Sequence, residues 1–339
     1  MLSDQSLLRS VKWQLLVLDE AQAIKNPESL RSKAVRTIDR EVSIAVTGTP
    51  VENHIEEIWS ILDFVLPGLF GDLATFQSRF ENSVVGATLL APLIEPLLLR
   101  RRVKDVAKDL PELIEIEQVL PMDTALTARY LEVMSDIKER KMQPLQGVLR
   151  LRMLACHAEF PDDFCQSFKA QRLREIFDEI SPAHEKLLIF TAYTKSIDAI
   201  NDFVMTNYPK HMIGIIDGRL PPSDRQYLID EFSAFEGSAV LILNPRAGGI
   251  GLNITAANHV IHFGPEWNPA VTDQASRRAF RRGQSMPVTV HHFAYVDSVE
   301  ERIMKRSSTR RQIAEIVAPG SSDEPTIADL TLLLGKSSL

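Results

Sequence analysis

Two adjacent carboxylates, Asp19 and Glu20, follow directly on the apolar run Leu15-Leu16-Val17-Leu18. At the carboxyl end of a buried parallel strand, where open α/β sheets place their ligands, such a pair can divide the work of phosphoryl transfer. One acid holds Mg2+, usually through water, and the other orients or deprotonates the attacking water. The same dipeptide could also cap a following helix. Far along the chain, Arg278 and Arg281 are three apart on a predicted helix, so they share a face from which two guanidiniums can reach a γ-phosphate. A solvated basic face is the plain alternative, but residues 273–284 hold four Arg and one Asp on a chain whose net charge is −7. Gly248, Gly249 and Gly251 would let backbone approach a phosphate closely, although an ordinary loop has the same composition.

The elements that must position these residues read as α/β. Strands are expected at 15–18 and 42–46, joined by a helix over 28–38, and the buried character of both strands implies helices on both faces of a parallel sheet. Ile55, Ile58, Trp59, Leu62 and Leu66 form the stripe of an amphipathic helix that stops near Pro67-Gly68. From 69 to 182 helical patterns dominate and strands are scarce, which suggests a helical insert. A second α/β series follows, with strands at 187–190, 212–216, 240–243, 259–263 and 288–293 and helices at 196–205, 223–232 and 271–280. The expected divisions are 1–68, 69–182, 183–317 and a loosely held tail over 318–339.

Composition narrows the class. The 339 residues are 45% hydrophobic and 24% charged, enough for a sizeable core in two domains. With 38 Lys+Arg against 45 Asp+Glu, the chain is not a wholly basic nucleic-acid binder, although a local basic groove is compatible with that balance. Two cysteines, Cys156 and Cys165, cannot make a disulfide framework, and with His157 they lack paired zinc spacing. No run of about 18 apolar residues occurs, so no membrane partner is expected and the cytoplasm is the expected compartment.

The motifs then resemble a family. Leu18-Asp19-Glu20-Ala21-Gln22-Ala23-Ile24-Lys25-Asn26 resembles the DEAH/DEAQ box, motif II, of SWI/SNF-like ATPases in helicase superfamily two. Thr47-Gly48-Thr49-Pro50-Val51-Glu52-Asn53 is similar to motif III, and Leu187–Thr191 to motif IV. Ala247-Gly248-Gly249-Ile250-Gly251-Leu252-Asn253-Ile254-Thr255 resembles motif V, and the stretch from Gln274 through Arg278 and Arg281 to Gln284 resembles motif VI. Leu98–Lys104, with Arg100 and Arg101, is similar to the basic segment leading out of the first lobe, and Trp267-Asn268-Pro269 to the family's Trp-Asn-Pro. The matches run in the family's order from about residue 13 to 305.

The resemblance implies the latter part of one RecA-like lobe, helical insertions, and a complete second RecA-like lobe with a parallel sheet. It implies an ATP-dependent translocase on double-stranded DNA, using ATP and Mg2+, active within a longer protein, with other proteins of a larger complex among its candidate partners. Asp19 would bind Mg2+ through water, Glu20 would activate water, and Gln22, Thr47, Gly48, Thr49, Gly249, Gly251 and Gln274 would bind or couple nucleotide. Asn253, Thr255, Trp267, Arg100 and Arg101 would meet DNA, and Arg278 with Arg281 would stabilise the transferring phosphate. No G-x-x-x-x-G-K-[ST] precedes Asp19, so the chain reads as the later part of a motor, lacking the phosphate loop of the missing N-terminal lobe and inactive by itself. Motif VI also departs from the pattern at Arg277, Phe280 and Arg282, where Asp, His and Ile are usual. A non-catalytic DNA- or protein-binding module and an RNA helicase-like ATPase are the rival readings. The short insert between lobes suits a bacterial, nucleoid-associated protein better than a nuclear one.

Overall fold

The computed structural model describes residues 4–47, 55–81, 84–99, 110–246 and 252–306. They fall into two compact units, one of residues 4–99 with Asn268–Ala270 and one of the remainder. Among the described residues no helix is long and apolar enough to cross a membrane. Gly48, Thr49, Arg100, Arg101, Gly248, Gly249, Gly251 and the 318–339 tail lie outside the described residues.

In the first unit, α1 (Gln5–Arg9) precedes β1 (Trp13–Leu18), a 3-10 turn (Ala21–Ile24), α2 (Leu30–Arg36) and β2 (Arg40–Ala45). The strands pair in parallel, Leu15 opposite Val42 and Val17 opposite Ile44. Parallel strands need a crossover, and α2 supplies it, its first turn capped by Ser29, whose side chain accepts the Ser32 N–H. Alternation sends Leu16, Leu18 and Ala45 toward Ile24, Val35 and Phe64. The opposite face carries Leu15, Val17, Val42, Ile44 and Val46, each 45–54% exposed. Cover on both faces was the expectation; among the described residues only one face has it. α3 (Ile55–Val65) buries Ile55, Ile58, Trp59 and Leu62 against Phe76, Phe80, Leu90 and Ile94, which come with α4 (Leu73–Arg79) and α5 (Val84–Ile94).

The second unit runs β3 (Leu113–Leu120), α6 (Thr124–Lys138), α7 (Pro144–Ala155), α8 (Phe168–Ile180), β4 (Lys186–Phe190), α9 (Thr194–Asn207), β5 (Met212–Ile216), α10 (Pro222–Ala234), β6 (Ala239–Leu243), β7 (His259–His262), α11 (Pro269–Ser276, in this unit from Val271 on) and β8 (Val288–Tyr295). A final helix, α12, covers 299–306. The six strands form one all-parallel sheet in the order β3-β8-β7-β4-β6-β5. Central β4 and β6 are unbroken apolar runs because both faces are covered. Leu187, Ile189, Val240 and Ile242 meet α8 and α9 on one side. Leu188, Phe190, Leu241 and Leu243 meet α10 and α11 on the other.

The single helical insert expected over 69–182 is divided by the structure. α4 and α5 pack with α3, whereas β3, α6, α7 and α8 belong to the second unit. β3 pairs along its whole length with β8, so the lobe begins well before 183. Its edge position explains the missed strand: Glu115 and Glu117 alternate with apolar residues on a strand that is largely exposed.

One polar group lies deep in this unit. Lys169, 0% exposed, donates through Nζ to the carbonyls of Ala155 and Phe263 and to both oxygens of Glu300 at 2.7–3.0 Å. Glu300 also accepts the Tyr295 N–H at 3.2 Å. The pair ties α8 to the ends of α7, β7 and β8 and to α12.

Candidate functional site

One cluster of expected residues, in the first unit, stands at the carboxyl ends of β1 and β2. Val46 N–H donates to the Leu18 carbonyl and Ala21 N–H to the Val46 carbonyl, at 2.7 and 3.0 Å. These bonds hold motif II beside the start of motif III. Asp19 is exposed, and its Oδ1 accepts the Glu20 N–H at 2.9 Å. Glu20 sits in the left-handed region at φ 51° and ψ 51°, a conformation that costs a non-glycine residue about 1 kcal/mol or more. That turn aims the chain from the strand into the 3-10 turn. Gln22 then donates through Nε2 to Glu20 Oε2 at 2.5 Å and accepts from Thr47 Oγ1 at 2.6 Å. Three residues of the expected set, Glu20, Gln22 and Thr47, thus form one hydrogen-bonded relay.

The donor set here fits a hard cation. Among the described residues no three His, Cys, Asp or Glu side chains are grouped as a metal cage. Two adjacent carboxylates suit Mg2+, which takes one or two carboxylates and fills its remaining positions with water and phosphate oxygens.

A separate set of expected residues, in the second unit, lies after α11, and here the structure corrects a shared-face expectation. Asn268 caps the helix, its Oδ1 accepting the Ala270 N–H at 2.9 Å, with Pro269 at the first helical position. The helix ends at Ser276, not near Phe280. Arg278 N–H bonds to the Ala275 carbonyl and Ala279 N–H to that of Ser276, the three-residue steps of a turn. Both arginines lie beyond the helix, and Arg278 is buried while Arg281 is exposed, so the two do not share a helical face. Arg281 is exposed, as are Arg277 and Arg282. Arg278 is buried, its Nη2 donating to the Pro245 carbonyl at 3.3 Å, and burial lowers the pKa of its guanidinium.

Motif VI also holds the end of motif V. Ile254 N–H donates to the Arg278 carbonyl, and Gln284 Nε2 donates to the Ala257 carbonyl at 2.8 Å. Gln284 Oε1 accepts from Ser285 and Met286, closing a turn that begins at Gly283 with φ 100°. Asn253 and Gln274 are exposed and Thr255 is half-buried.

Trp267, expected at a DNA surface, is 5% exposed and packs with Leu154, Val299 and Ile303 under the Arg306 guanidinium. Its ring is core in this structure, because the end of β7 delivers it beneath α7 and α12. Sequence reasoning also missed Glu266, a buried carboxylate 3.4 Å from Arg246, and the Lys169–Glu300 pair. Neither has a local signal, since each partner is distant in sequence. Cys156 is no nucleophile: burial pushes its thiol up to about 12.

Residues 1–160 match the family model of the SNF2-related domain, and residues 169–283 match the helicase conserved C-terminal domain. The Sulfolobus solfataricus SWI2/SNF2 ATPase core in complex with dsDNA is 30% identical, with a TM-score of 0.52 over 92% of this chain and 70% of that one. The chain belongs to the SWI/SNF-related family. Its fold is accordingly that of RecA-like lobes. Among curated relatives, the DNA repair and recombination protein RAD26 of Saccharomyces cerevisiae is 32% identical over 88% of this chain and 31% of its own length. The mouse SWI/SNF-related matrix-associated actin-dependent regulator of chromatin subfamily A member 1 is 32% identical over 93% of this chain and 33% of its own. The chain thus spans about a third of the length of these relatives.

Proposed function

We propose that this chain carries the water-activating and coupling half of an ATP-driven translocase that moves along double-stranded DNA. The observation that carries the reading is the relay from Glu20 through Gln22 to Thr47, which links the acid beside the reacting phosphate to the segment entering motif III. Glu20 accepts a proton from, or orients, the attacking water, and Asp19 would hold Mg2+ through water. Mg2+ bound with ATP would neutralise charge on the phosphates. Gln22 and Thr47, with Thr49, pass the occupancy of the site to the DNA-binding surface. Arg281, exposed and cationic, stabilises charge on the transferring phosphate. Gly251, Asn253 and Thr255, with Gln274, face nucleotide or DNA backbone, and Arg100 and Arg101 add phosphate contacts. The complex of the Sulfolobus core with duplex DNA supports the choice of substrate.

Phosphate binding requires a further loop, since the 339 residues hold no G-x-x-x-x-G-K-[ST]. The half-exposed apolar face of β1 and β2 suits a further α/β layer carrying it. Duplex-stimulated ATP hydrolysis is the test, run on this chain alone and on a longer protein that supplies the loop. We expect no turnover from the chain alone. The longer protein should turn over ATP, with duplex DNA stimulating more than duplex RNA, and Glu20→Gln or Arg281→Ala should lower turnover by about 10³-fold. An inactive longer protein would favour a binding module, and turnover unchanged in Glu20→Gln would remove that residue's role.

A further inference from the structure

The two edges of the second unit's sheet are finished differently. β5, at one edge, has five residues, each buried or half-buried. β3, at the other, has eight, and five of them are exposed. Among the described residues β3 pairs with β8 alone. Val288 N–H donates to the Glu112 carbonyl and Val296 N–H to that of Leu120, so the even-numbered residues of β3 bond to β8. The alternate residues, Leu113, Glu117 and Val119 among them, turn their N–H and C=O groups outward.

A row of outward backbone groups is a template for a further strand, and proteins blunt such edges with short strands, charge or proline. Pro111 and Pro121 bracket β3 without interrupting it. Its side chains alternate as its backbone does. Ile114 and Ile116, 38% and 37% exposed, share one face; Glu115 and Glu117 share the other with Val119, 42% exposed. Glu115 Oε1 lies 3.4 Å from His292 Nε2, at the β8 side. Carboxylates alone would blunt the edge, but three large apolar side chains left partly in water would not. A second copy of the same edge is a poor occupant, because self-pairing centred on the strand would set these carboxylates against one another.

We propose that the outer edge of β3 accepts an extended segment of a partner protein whose residues alternate between basic and apolar. Its Lys or Arg side chains lie beside Glu115 and Glu117, and its aliphatic side chains beside Ile114 and Ile116. Main-chain bonds supply the affinity, and the alternation sets which face is which. The inference stands on the edge itself and does not need the motor reading.

Binding of blocked eight-residue peptides to the 339-residue chain, followed by calorimetry and amide hydrogen exchange, tests it. One peptide alternates lysine and valine, and a second alternates glutamate and valine. A third is the lysine peptide N-methylated throughout, which keeps its charge and apolar surface but removes every backbone donor. The lysine peptide should bind about tenfold or more tightly than either of the others. On binding, exchange at the Glu117 and Val119 amides should slow by about tenfold, while Ile116 and Gln118, on the β8 side, change little. Glu115→Gln combined with Glu117→Gln should weaken binding by about fivefold. Val119→Pro removes an outward N–H without touching the β8 ladder and should weaken it further. If the proline variant does not fold, the methylated peptide makes the same test.

Equal binding of the glutamate peptide, or of the methylated peptide, overturns the proposal, as does protection spread evenly along β3. Failure of the lysine peptide to bind overturns it too. A chain that dimerises through this edge, with the dimer lost in Val119→Pro, would give the edge to a second copy instead.

Discussion

Leu187, Ile189, Val240 and Ile242, in the middle of the second unit's sheet, are 0% exposed, while Leu15, Val17, Val42 and Ile44 of the first unit's sheet are about half-exposed. Both sets are apolar residues on parallel strands, and the strand runs look alike in sequence. What separates them is the number of covered faces. Among the described residues, the second unit has six strands with helices on each side, and the first has two strands with helices on one. Their polar groups differ in the same way. The first unit displays Asp19 and a left-handed Glu20 near solvent, whereas the second hides Lys169, Glu300 and Arg278 and uses them to fix backbone. A charge near a motif is therefore evidence of chemistry only where the structure leaves it reachable.

The sharpest way to break that contrast is to remove the second unit's buried charge. Lys169→Met would leave the buried Glu300 carboxyl without its cationic partner, and the carbonyls of Ala155 and Phe263 would lose the same donor. Breaking a buried pair in this way should lower stability by about 3–5 kcal/mol, measured as a shift in the urea midpoint of the second unit's transition. Adding Glu300→Leu should recover much of the loss. A single mutant as stable as the parent would show that the pair holds nothing together.

Mild acid, between pH 7 and 5, should act on the same unit. His291 packs against His259 and is held down to about 4 by burial, with the neighbouring His259, Arg172 and His292 adding to the effect. Burial and the Lys169 ammonium hold His157 down to about 3. Both folded rings bind a proton less readily than unfolded rings, whose pKa is near 6.5. The unfolded chain therefore takes up more protons as pH falls below about 6.5, and stability drops through that window, by about 1.4 kcal/mol per pH unit for each ring until its folded pKa is reached. Urea titrations at pH 7, 6 and 5 measure the slope, and a midpoint that is flat in pH would contradict the burial of both rings.

Sequence patterns located most of this architecture. The strands at 13–18, 40–45, 186–190, 212–216, 239–243 and 288–295 all lie where apolar runs point, and in the central strands at 186–190 and 239–243 the run is unbroken because both faces are buried. β3 escaped because an edge strand may carry Glu115 and Glu117 in alternation. The end of α11 escaped because Arg277-Arg278-Ala279 contains no helix breaker; the turn is stabilised by bonds to Pro245, Ile254 and Ala257, all remote in sequence. Of the candidate site, the identity of Glu20, Gln22 and Thr47 was legible, but their relay depends on the β1–β2 register, which only the fold supplies. The burial of Arg278 and Trp267 was not legible, since neither residue type nor spacing says which way a side chain turns after a helix ends.

The smallest expected effect separates the two sheets most directly. Ile44 is 45% exposed on the bare face, opposite Val17 in the strand register. Threonine keeps its β-branching and most of its volume, so Ile44→Thr in the 339-residue chain should change stability by no more than about 0.5 kcal/mol. If an α/β layer covers this face in the longer protein, the same substitution buries a hydroxyl without a designed partner and should cost about 1–3 kcal/mol there. Paired urea denaturation of the two proteins measures the difference. Equal, near-zero effects in both would mean that the face stays open to solvent, and the proposal that a phosphate-binding layer sits on β1 and β2 would fail with it.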